Sequence, residues 1–176
     1  MTIYILRHAE RNSQNPLFES SLTPTGYTNA SILSDYIYTL NINTIYSSPF
    51  YRTIQTIYPY CITYNKSINI ENSLYKSMDS LLFTRYNSTY TWCDLPPKYH
   101  NIINKKYKST YGDVKLFESF SDVCKRVIPF IEKIKDSDKH ILLVSHKTTC
   151  NAVRHYFNSN IKYDSILDFG EIVQIE

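Results

Sequence analysis

Short apolar runs alternate with helical patterns along most of the chain, and this alternation limits the possible folds more than any other feature. The clearest run is HILLVS at 140–145, and TIYIL at 2–6 is also apolar and rich in β-branched residues. Both runs are predicted to be buried strands. Because strands that alternate with helices are typical of layered α/β architecture, we expect a three-layer α/β/α fold with a mostly parallel central sheet.

The other elements are predicted from the same patterns. Further strands are expected at 43–48 and 66–70, with a closing pair at 165–169 and 171–176 on either side of Gly170. Helices are expected at 23–40, 50–61, 118–135 and 147–157. Thr23 is the expected N-cap of the first helix, with Pro24 at its first position. The second helix is expected to end before Pro59.

The stretch from about 77 to 112 has no clear period and contains Pro96 and Pro97. We interpret it as an insertion or lid with short helices. The whole chain, 1–176, is expected to form one domain that includes this insertion, because a chain of this length supports a single core. Within the stretch, 98–108 interleaves aromatic residues with lysines, a pattern seen in single-stranded nucleic-acid binding; a solvated helix face or a substrate lid is favoured over that function.

Composition excludes several classes of function. The net charge of +3 is mild, so neither a nucleic acid nor a membrane surface is the expected partner. No segment reaches the roughly 18 to 20 continuous apolar residues of a membrane span. The N-terminus lacks the apolar stretch of a signal peptide, and four cysteines lie far apart without C-x-x-C spacing: Cys61, Cys93, Cys124 and Cys150. We therefore predict a cytoplasmic protein without disulfides or structural zinc.

Basic residues follow three of the predicted strands. Arg7 and His8 follow the first strand, Arg52 follows the second, and His146 follows HILLVS. In open α/β sheets ligands bind beyond the carboxyl ends of the strands, so these four side chains are expected to converge. An anion would relieve their mutual repulsion, and a phosphoryl group suits them best. Arginine pairs with phosphate oxygens, and a neutral histidine can attack phosphorus.

Five motifs, in this order along the chain, resemble those of the histidine phosphatase superfamily, which has the phosphoglycerate-mutase-like fold. They are RHAER at 7–11, SLTPTG at 21–26, SSPFYRTIQT at 47–56, FESFSDVCKRV at 117–127 and LLVSHKTT at 142–149. The R-H-x-E-R form and IENSLYK at 70–76 are similar to the R-H-G-E-R branch. That branch includes the phosphatase domains of the suppressors of T-cell receptor signalling.

The resemblance implies a role for each matching residue. His8 would be the nucleophile that becomes phosphohistidine, and Arg7, Arg52 and His146 would line the phosphate pocket. Arg11 would add a contact to phosphate or substrate. The implied reaction is hydrolysis of a phosphomonoester or phosphoanhydride, in a small molecule or a phosphoprotein, with neither metal nor cofactor. The oligomeric state is open.

Three positions depart from the family pattern. Ala9 replaces a glycine, and Lys147 follows the second histidine where a small residue is usual. Lys76 stands where the family's L-x-E motif supplies the carboxylate that protonates the leaving group. Lys76 and Lys147 are expected substrate contacts, and Glu71 or Asp79 is the possible replacement acid. The missing carboxylate leaves an alternative open, a weak or inactive protein of this fold that serves as an anion-binding or assembly module.

Overall fold

The computed structural model describes residues 2–14, 17–78, 91–112 and 115–175. Five strands in these ranges form one sheet: β1 (Thr2–Arg7), β2 (Thr44–Ser47), β3 (Ile68–Ile70), β4 (His140–Ser145) and β5 (Ile172–Ile175). The order across the sheet is β3-β2-β4-β1-β5. Strands β1 to β4 are parallel to one another, and β5 pairs antiparallel with β1. The prediction of a mostly parallel sheet is confirmed.

Helices cover both faces of the sheet. They are α1 (Pro24–Thr39), α2 (Tyr51–Thr63), α3 (Phe120–Ile134) and α4 (Lys147–Phe157). Because side chains alternate along a strand, Leu6 packs with Ile37 and Ile54 on the side of α1 and α2. Its neighbour Ile5 packs with Val127 on the side of α3 and α4. The predicted three-layer architecture is therefore confirmed. Of the helices described, none is long and apolar enough to cross a membrane.

The start of α1 supports the loop that follows β1. Thr23 is its N-cap and accepts a hydrogen bond from the Gly26 nitrogen at 3.0 Å, as predicted. The Thr23 nitrogen donates to the carbonyl oxygen of Glu10 at 3.0 Å. A Cβ atom on Gly26 would lie 2.1 Å from that same oxygen, so only glycine fits there. The loop that carries Glu10 is thereby held closely against the helix.

Helix α2 does not end before Pro59, so that prediction was wrong. The helix continues through Pro59 to Thr63, and its last turns bury Tyr60 and Cys61. A proline inside a helix costs about 3 kcal/mol through the lost hydrogen bond and steric clash. The burial of the Tyr60 and Cys61 side chains offsets that cost. The predictions of α1, α3, α4, β1 and β4 are confirmed within a few residues at each end.

The predicted strand at 165–169 is also wrong, since the segment is irregular. Its carbonyl oxygens are used by side chains instead of a neighbouring strand. The Asn151 amide donates to Ser165 O at 2.8 Å, and Arg154 donates to Ile166 O at 3.1 Å. Only the second half of the expected pair forms a strand, β5.

The predicted insertion at 77–112 is described at 77–78 and 91–112. Its second part contains two short 3-10 helices, Trp92–Asp94 and Pro97–Ile102. Two aromatic residues of the 98–108 run point into the protein. Tyr99 is buried and accepts from the Gln55 amide at 3.1 Å, and the Tyr107 hydroxyl donates to Glu71 at 2.5 Å. The assignment of one domain over 1–176 stays a prediction.

A buried ion pair fixes the segment that follows β3. Nε of Arg126 lies 2.7 Å from Oε1 of Glu118, and the two side chains are only 2% and 1% exposed. Arg126 also donates to the carbonyl oxygens of Ser73 and, at 3.0 Å, Tyr75. Glu118 accepts from the Met78 nitrogen at 3.0 Å. The pair therefore ties helix α3 to the Glu71–Met78 segment at several points.

We expect Arg126→Leu to lower the free energy of unfolding by about 3 to 5 kcal/mol, because it leaves the buried Glu118 carboxylate without its cation. The matched control is Lys115→Met, which breaks the Lys115–Asp122 pair at 2.5 Å. The Lys115 side chain is 57% exposed, so its loss should have a much smaller effect. Urea unfolding of both variants measures the difference. Equal losses would contradict the structural role of the buried pair.

Candidate active site

The turns after β1, β2 and β4 lie side by side at the carboxyl edge of the sheet. The His8 nitrogen donates to Ser145 O at 2.9 Å, and the Ser48 nitrogen donates to Val144 O at 3.0 Å. The backbone pairing with β4 thus continues for one residue past the end of β1 and one residue past the end of β2. As a result, the ring centroids of His8 and His146 are 5.2 Å apart, in an edge-to-face arrangement.

A backbone hydrogen bond orients the His8 ring. The ring is buried, and its Nδ1 atom lies 2.7 Å from the carbonyl oxygen of Ala9. Because a carbonyl only accepts, Nδ1 carries the proton and Nε2 of the neutral ring has a free electron pair. The Ala9 nitrogen in turn donates to Oγ1 of Thr56 in α2 at 2.9 Å. The second helix therefore positions the backbone that orients His8.

The second histidine is oriented by Ser48. Nε2 of His146 lies 2.8 Å from Oγ of Ser48, which also accepts from the Phe50 nitrogen at 3.4 Å. Because a hydroxyl both donates and accepts, this contact holds the ring plane in either tautomer. Nδ1 of His146 is buried and has no hydrogen-bond partner among the described residues. A buried polar atom of this kind suits a bound hydrogen-bonding group.

Arg52 places a positive charge close to both histidines. It is the second residue of α2 and is fully buried. Its Cζ lies 4.6 Å from the ring centroid of Phe50, whose ring meets His146 edge-on at 5.0 Å. Nη1 donates to Leu17 O at 2.9 Å. The guanidinium is therefore positioned by aromatic packing and by a backbone carbonyl.

Arg7 is held by the turn before β5, Leu167–Gly170. Its Nη1 donates to Leu167 O at 2.5 Å, and its Cζ lies 3.8 Å from the ring centroid of Phe169. The Phe169 ring also packs against His8, with centroids 5.5 Å apart. Gly170 donates to the carbonyl oxygens of Arg7 and His8 and has a φ of 72°, which favours glycine. Nε of Arg7 is buried and has no hydrogen-bond partner within the described ranges.

Both histidines favour the neutral form in this pocket. Burial lowers the pKa of His8 well below 6.5, and the charges of Arg52 and Arg7 lower it further. Burial likewise lowers the pKa of His146 well below 6.5, with Arg52 as the next largest cause. The two rings are therefore uncharged at neutral pH, and the arginines carry the positive charge.

Three more predicted cations surround this centre. Arg11 donates to Asn12 O at 2.7 Å and, with Phe169, lines a cleft of about 700 Å³. Lys147 is the half-buried first residue of α4, directly after His146. Lys76 is half-buried on a segment that Ser145 contacts through Leu74 O, and its charge contributes to the lowered pKa of His146. These predicted basic residues thus lie on the segments next to the two histidines.

The two possible acids have different positions. Glu71 is fully buried, and its carboxylate accepts hydrogen bonds from the nitrogens of Ser73 and Thr110 and from the hydroxyls of Tyr107, Ser109 and Thr110. All these donors belong to residue 73 or to 107–110, so hydrogen bonds from these residues occupy both carboxylate oxygens. Asp79 lies outside the described residues.

Three contributors to the site carried no functional prediction. Ser48 and Thr56 are within the SSPFYRTIQT motif, so the motif itself was a signal for them. Phe169 has no such signal, because it reaches Arg7 and His8 from the far end of the chain. Its position depends on the turn into β5.

Comparison with known proteins agrees with this geometry. The family model of the histidine phosphatase superfamily (branch 1) matches residues 3–170, which include Arg7, His8, Arg52 and His146. The chain belongs to the histidine phosphatase superfamily. Membership of the R-H-G-E-R branch stays a prediction.

Individual relatives of this histidine phosphatase fold cover most of the chain. A Hydrogenobacter thermophilus protein, provisionally named phosphoserine phosphatase 2, is 25% identical over 157 residues, which is 86% of this chain and 75% of the relative. A mycobacterial glucosyl-3-phosphoglycerate phosphatase superposes with a TM-score of 0.71 at 15% identity, over 99% of this chain and 92% of the other. The ecdysone phosphate phosphatase of Bombyx mori gives 0.70 at 11% identity, over 99% and 88%.

The lowered histidine pKa values predict a pH dependence of stability. An unfolded histidine has a pKa of about 6.5, so below that pH the unfolded chain binds more protons than the folded protein. The stability linked to His8 and His146 is therefore complete above about pH 6.5 and is lost as the pH falls toward their lowered folded values. We expect His146→Gln to lose less stability than the wild type between pH 7.5 and 5.

Urea unfolding at the two pH values measures this effect. The control is His100→Gln, because His100 lies in a 3-10 helix outside the site, where its ring contacts Leu95 O at 2.8 Å. An unchanged pH dependence in His146→Gln would show that the buried ring is not the source.

Proposed function

We propose that the protein hydrolyses phosphate esters or anhydrides through a covalent phosphohistidine on His8. The observation that carries this proposal is the 2.7 Å contact between Nδ1 of His8 and the Ala9 carbonyl oxygen. It leaves the electron pair of Nε2 available in a pocket where burial and neighbouring arginines keep the ring neutral. A neutral, oriented imidazole beside fixed positive charges is suited to attack phosphorus.

The reaction has two steps. Nε2 of His8 forms a bond to phosphorus while the bond to the leaving oxygen breaks, and the electron pair of that bond leaves with the oxygen. A water molecule then attacks the phosphohistidine, the P–N bond breaks, and its electron pair returns to Nε2. The water proton is released, so the ring ends neutral as it began, and the phosphoryl group becomes inorganic phosphate.

Arg7, Arg52 and His146 stabilise the transferring group in both steps. The two guanidiniums supply positive charge. In the proposed mechanism Ser48 donates to Nε2 of His146, and the buried Nδ1–H is the donor to the transferring group. Together they perform the charge stabilisation that a metal ion provides in other phosphoryl-transfer sites, and the proposed reaction is metal-independent.

Two relatives support an oxyanion pocket in this fold. The Bombyx mori enzyme is described in complex with tungstate, and the mycobacterial enzyme in complex with VO3. Both ligands are oxyanions like phosphate. The names of these enzymes describe phosphatases for different phosphorylated compounds, so the proposed substrate is a phosphorylated small molecule or a phosphoprotein.

The second candidate function is an anion-binding module without turnover. It is favoured by one observation, the half-buried Lys76 on the segment that contacts Ser145 and Thr149, because its charge strengthens anion binding near His146. Such a module would bind inorganic phosphate and form no covalent adduct.

We expect His8→Ala to abolish both turnover and the acid-labile phosphoenzyme, because it removes the Nε2 atom that attacks phosphorus in the proposed mechanism. Rapid quenching with a ³²P-labelled substrate, followed by peptide mapping, locates the phosphoryl group. The control is His100→Ala, which should retain both activities. Label on His146 instead of His8, or wild-type turnover in His8→Ala, would contradict the mechanism.

Replacement of Arg7, Arg52 or His146 by Gln should lower kcat by about 10²-fold or more, since each change removes one donor to the transferring group. Saturating EDTA should leave the wild-type rate unchanged. Steady-state kinetics of the three variants and of Arg154→Gln test this. Arg154 serves as the control because it contacts Asn151 and Ile166 O instead of the histidines. Activity that depends on added Mg²⁺ or Zn²⁺ would overturn the proposed role of the arginines.

A further inference from the structure

The Glu71–Met78 segment is attached to the elements that flank His146. Oγ of Ser145, the residue before His146, donates to Leu74 O at 2.6 Å. Oγ1 of Thr149, in the first turn of α4, donates to Tyr75 O at 2.8 Å. The residue after Tyr75 is therefore held beside the turn that carries His146, and that residue is Lys76.

The position of Lys76 is determined by its surroundings. Its neighbours Tyr75 and Ser77 are buried, and the lysine itself is half-buried. Its Nζ donates to Ser77 O at 2.9 Å. The lysine charge also contributes to the lowered pKa of His146. The half-buried lysine is thus held on a segment that lies against the turn with His146.

The carboxylates attached to the same segment act as acceptors. Glu71 receives its hydrogen bonds from residue 73 and from 107–110. Glu118 receives them from Arg126, Tyr75 and the Met78 nitrogen. Both carboxylates are occupied by hydrogen bonds, so both are suited to holding the segment in place.

We propose that Lys76 binds the group that leaves phosphorus, and that the substrate is a phosphoanhydride whose leaving group is itself a phosphate. This inference rests on the proposed function. An alkoxide has a conjugate-acid pKa far above 7 and needs a proton as it departs, and a lysine with a pKa of about 10.4 is a poor donor at neutral pH. A phosphate has a second pKa of about 6 and leaves as a stable anion. It therefore needs a cation to pair with, not a proton.

The chemistry balances without an acid. Nε2 of His8 attacks the terminal phosphorus, the P–O bond of the anhydride breaks, and the bridging oxygen keeps the electron pair. The departing phosphate pairs with the ammonium group of Lys76. Water then cleaves the phosphohistidine as described above. One anhydride and one water give two phosphates, and any proton released passes to solvent.

The test compares ADP with AMP, because the two differ in leaving group and share the same nucleoside. Wild-type kcat/KM should be at least about 10²-fold higher for ADP, since only its leaving group needs no proton. A third substrate, 4-nitrophenyl phosphate, has a good leaving group without a second phosphate. Labelling of His8 by ³²P is measured with all three substrates.

Variants of Lys76 separate its charge from its structural contact. Lys76→Gln keeps a donor for Ser77 O and should lower kcat/KM for ADP by about tenfold to 10²-fold, and kcat/KM for 4-nitrophenyl phosphate by a clearly smaller factor. Lys76→Arg should retain most of the ADP activity. Lys76→Glu should reduce the preference for ADP over AMP. The control is Lys139→Met, because Lys139 is exposed and precedes β4 at the opposite edge of the sheet.

Each outcome decides a different question. Failure to label His8 with any of the three substrates would refute the proposed function itself. Labelling of His8 with equal use of ADP and AMP would leave the proposed function standing and overturn this inference. So would a Lys76→Gln variant that keeps its ADP activity. Efficient AMP hydrolysis that is lost in Asp79→Asn or Glu71→Gln would identify a carboxyl acid and overturn it as well.

Discussion

The hydrogen bond from Nδ1 of His8 to the Ala9 carbonyl is the interaction on which the proposed chemistry depends. It decides which ring nitrogen has the electron pair and fixes the ring plane. The carbonyl is itself held in place, because the Ala9 nitrogen donates to Thr56 and the Thr56 hydroxyl donates to Arg52 O at 2.6 Å. Helix α2 therefore supports the backbone that orients His8 and also carries the buried Arg52. The same helix thus fixes the position of His8 relative to Arg52.

The site concentrates positive charge where water is excluded, which is unfavourable in the absence of an anion. Two devices reduce this cost. Aromatic rings lie against the guanidiniums, Phe169 against Arg7 and Phe50 against Arg52. Backbone carbonyls of Leu17 and Leu167 accept from the same arginines. Both histidines stay neutral because burial and these charges lower their pKa values. In the proposed function, an oxyanion binds to this prearranged positive charge.

The periphery of the site depends on contacts far from the histidines. The Arg126–Glu118 pair, at 2.7 Å, joins α3 to the segment that carries Lys76. Ser145 and Thr149 attach the same segment to the elements around His146. In the proposed mechanism, a lysine on this segment adds charge where a phosphate leaving group departs. The proposed leaving-group site is therefore supported by a buried ion pair that does not touch the reacting atoms.

The sequence by itself determined the layer architecture and the convergence of the basic residues. Periodicity marks strands and helices locally, and parallel strands must place their carboxyl ends at one edge of the sheet. The convergence of Arg7, His8, Arg52 and His146 could therefore be predicted from the sequence. Only the tertiary structure decided that α2 passes Pro59, that 165–169 is irregular, and that Phe169 lies against Arg7. It also showed where Glu71 and Lys76 lie. These features depend on contacts between residues distant in the chain, whose packing energies override local propensity and leave no periodic trace in the sequence.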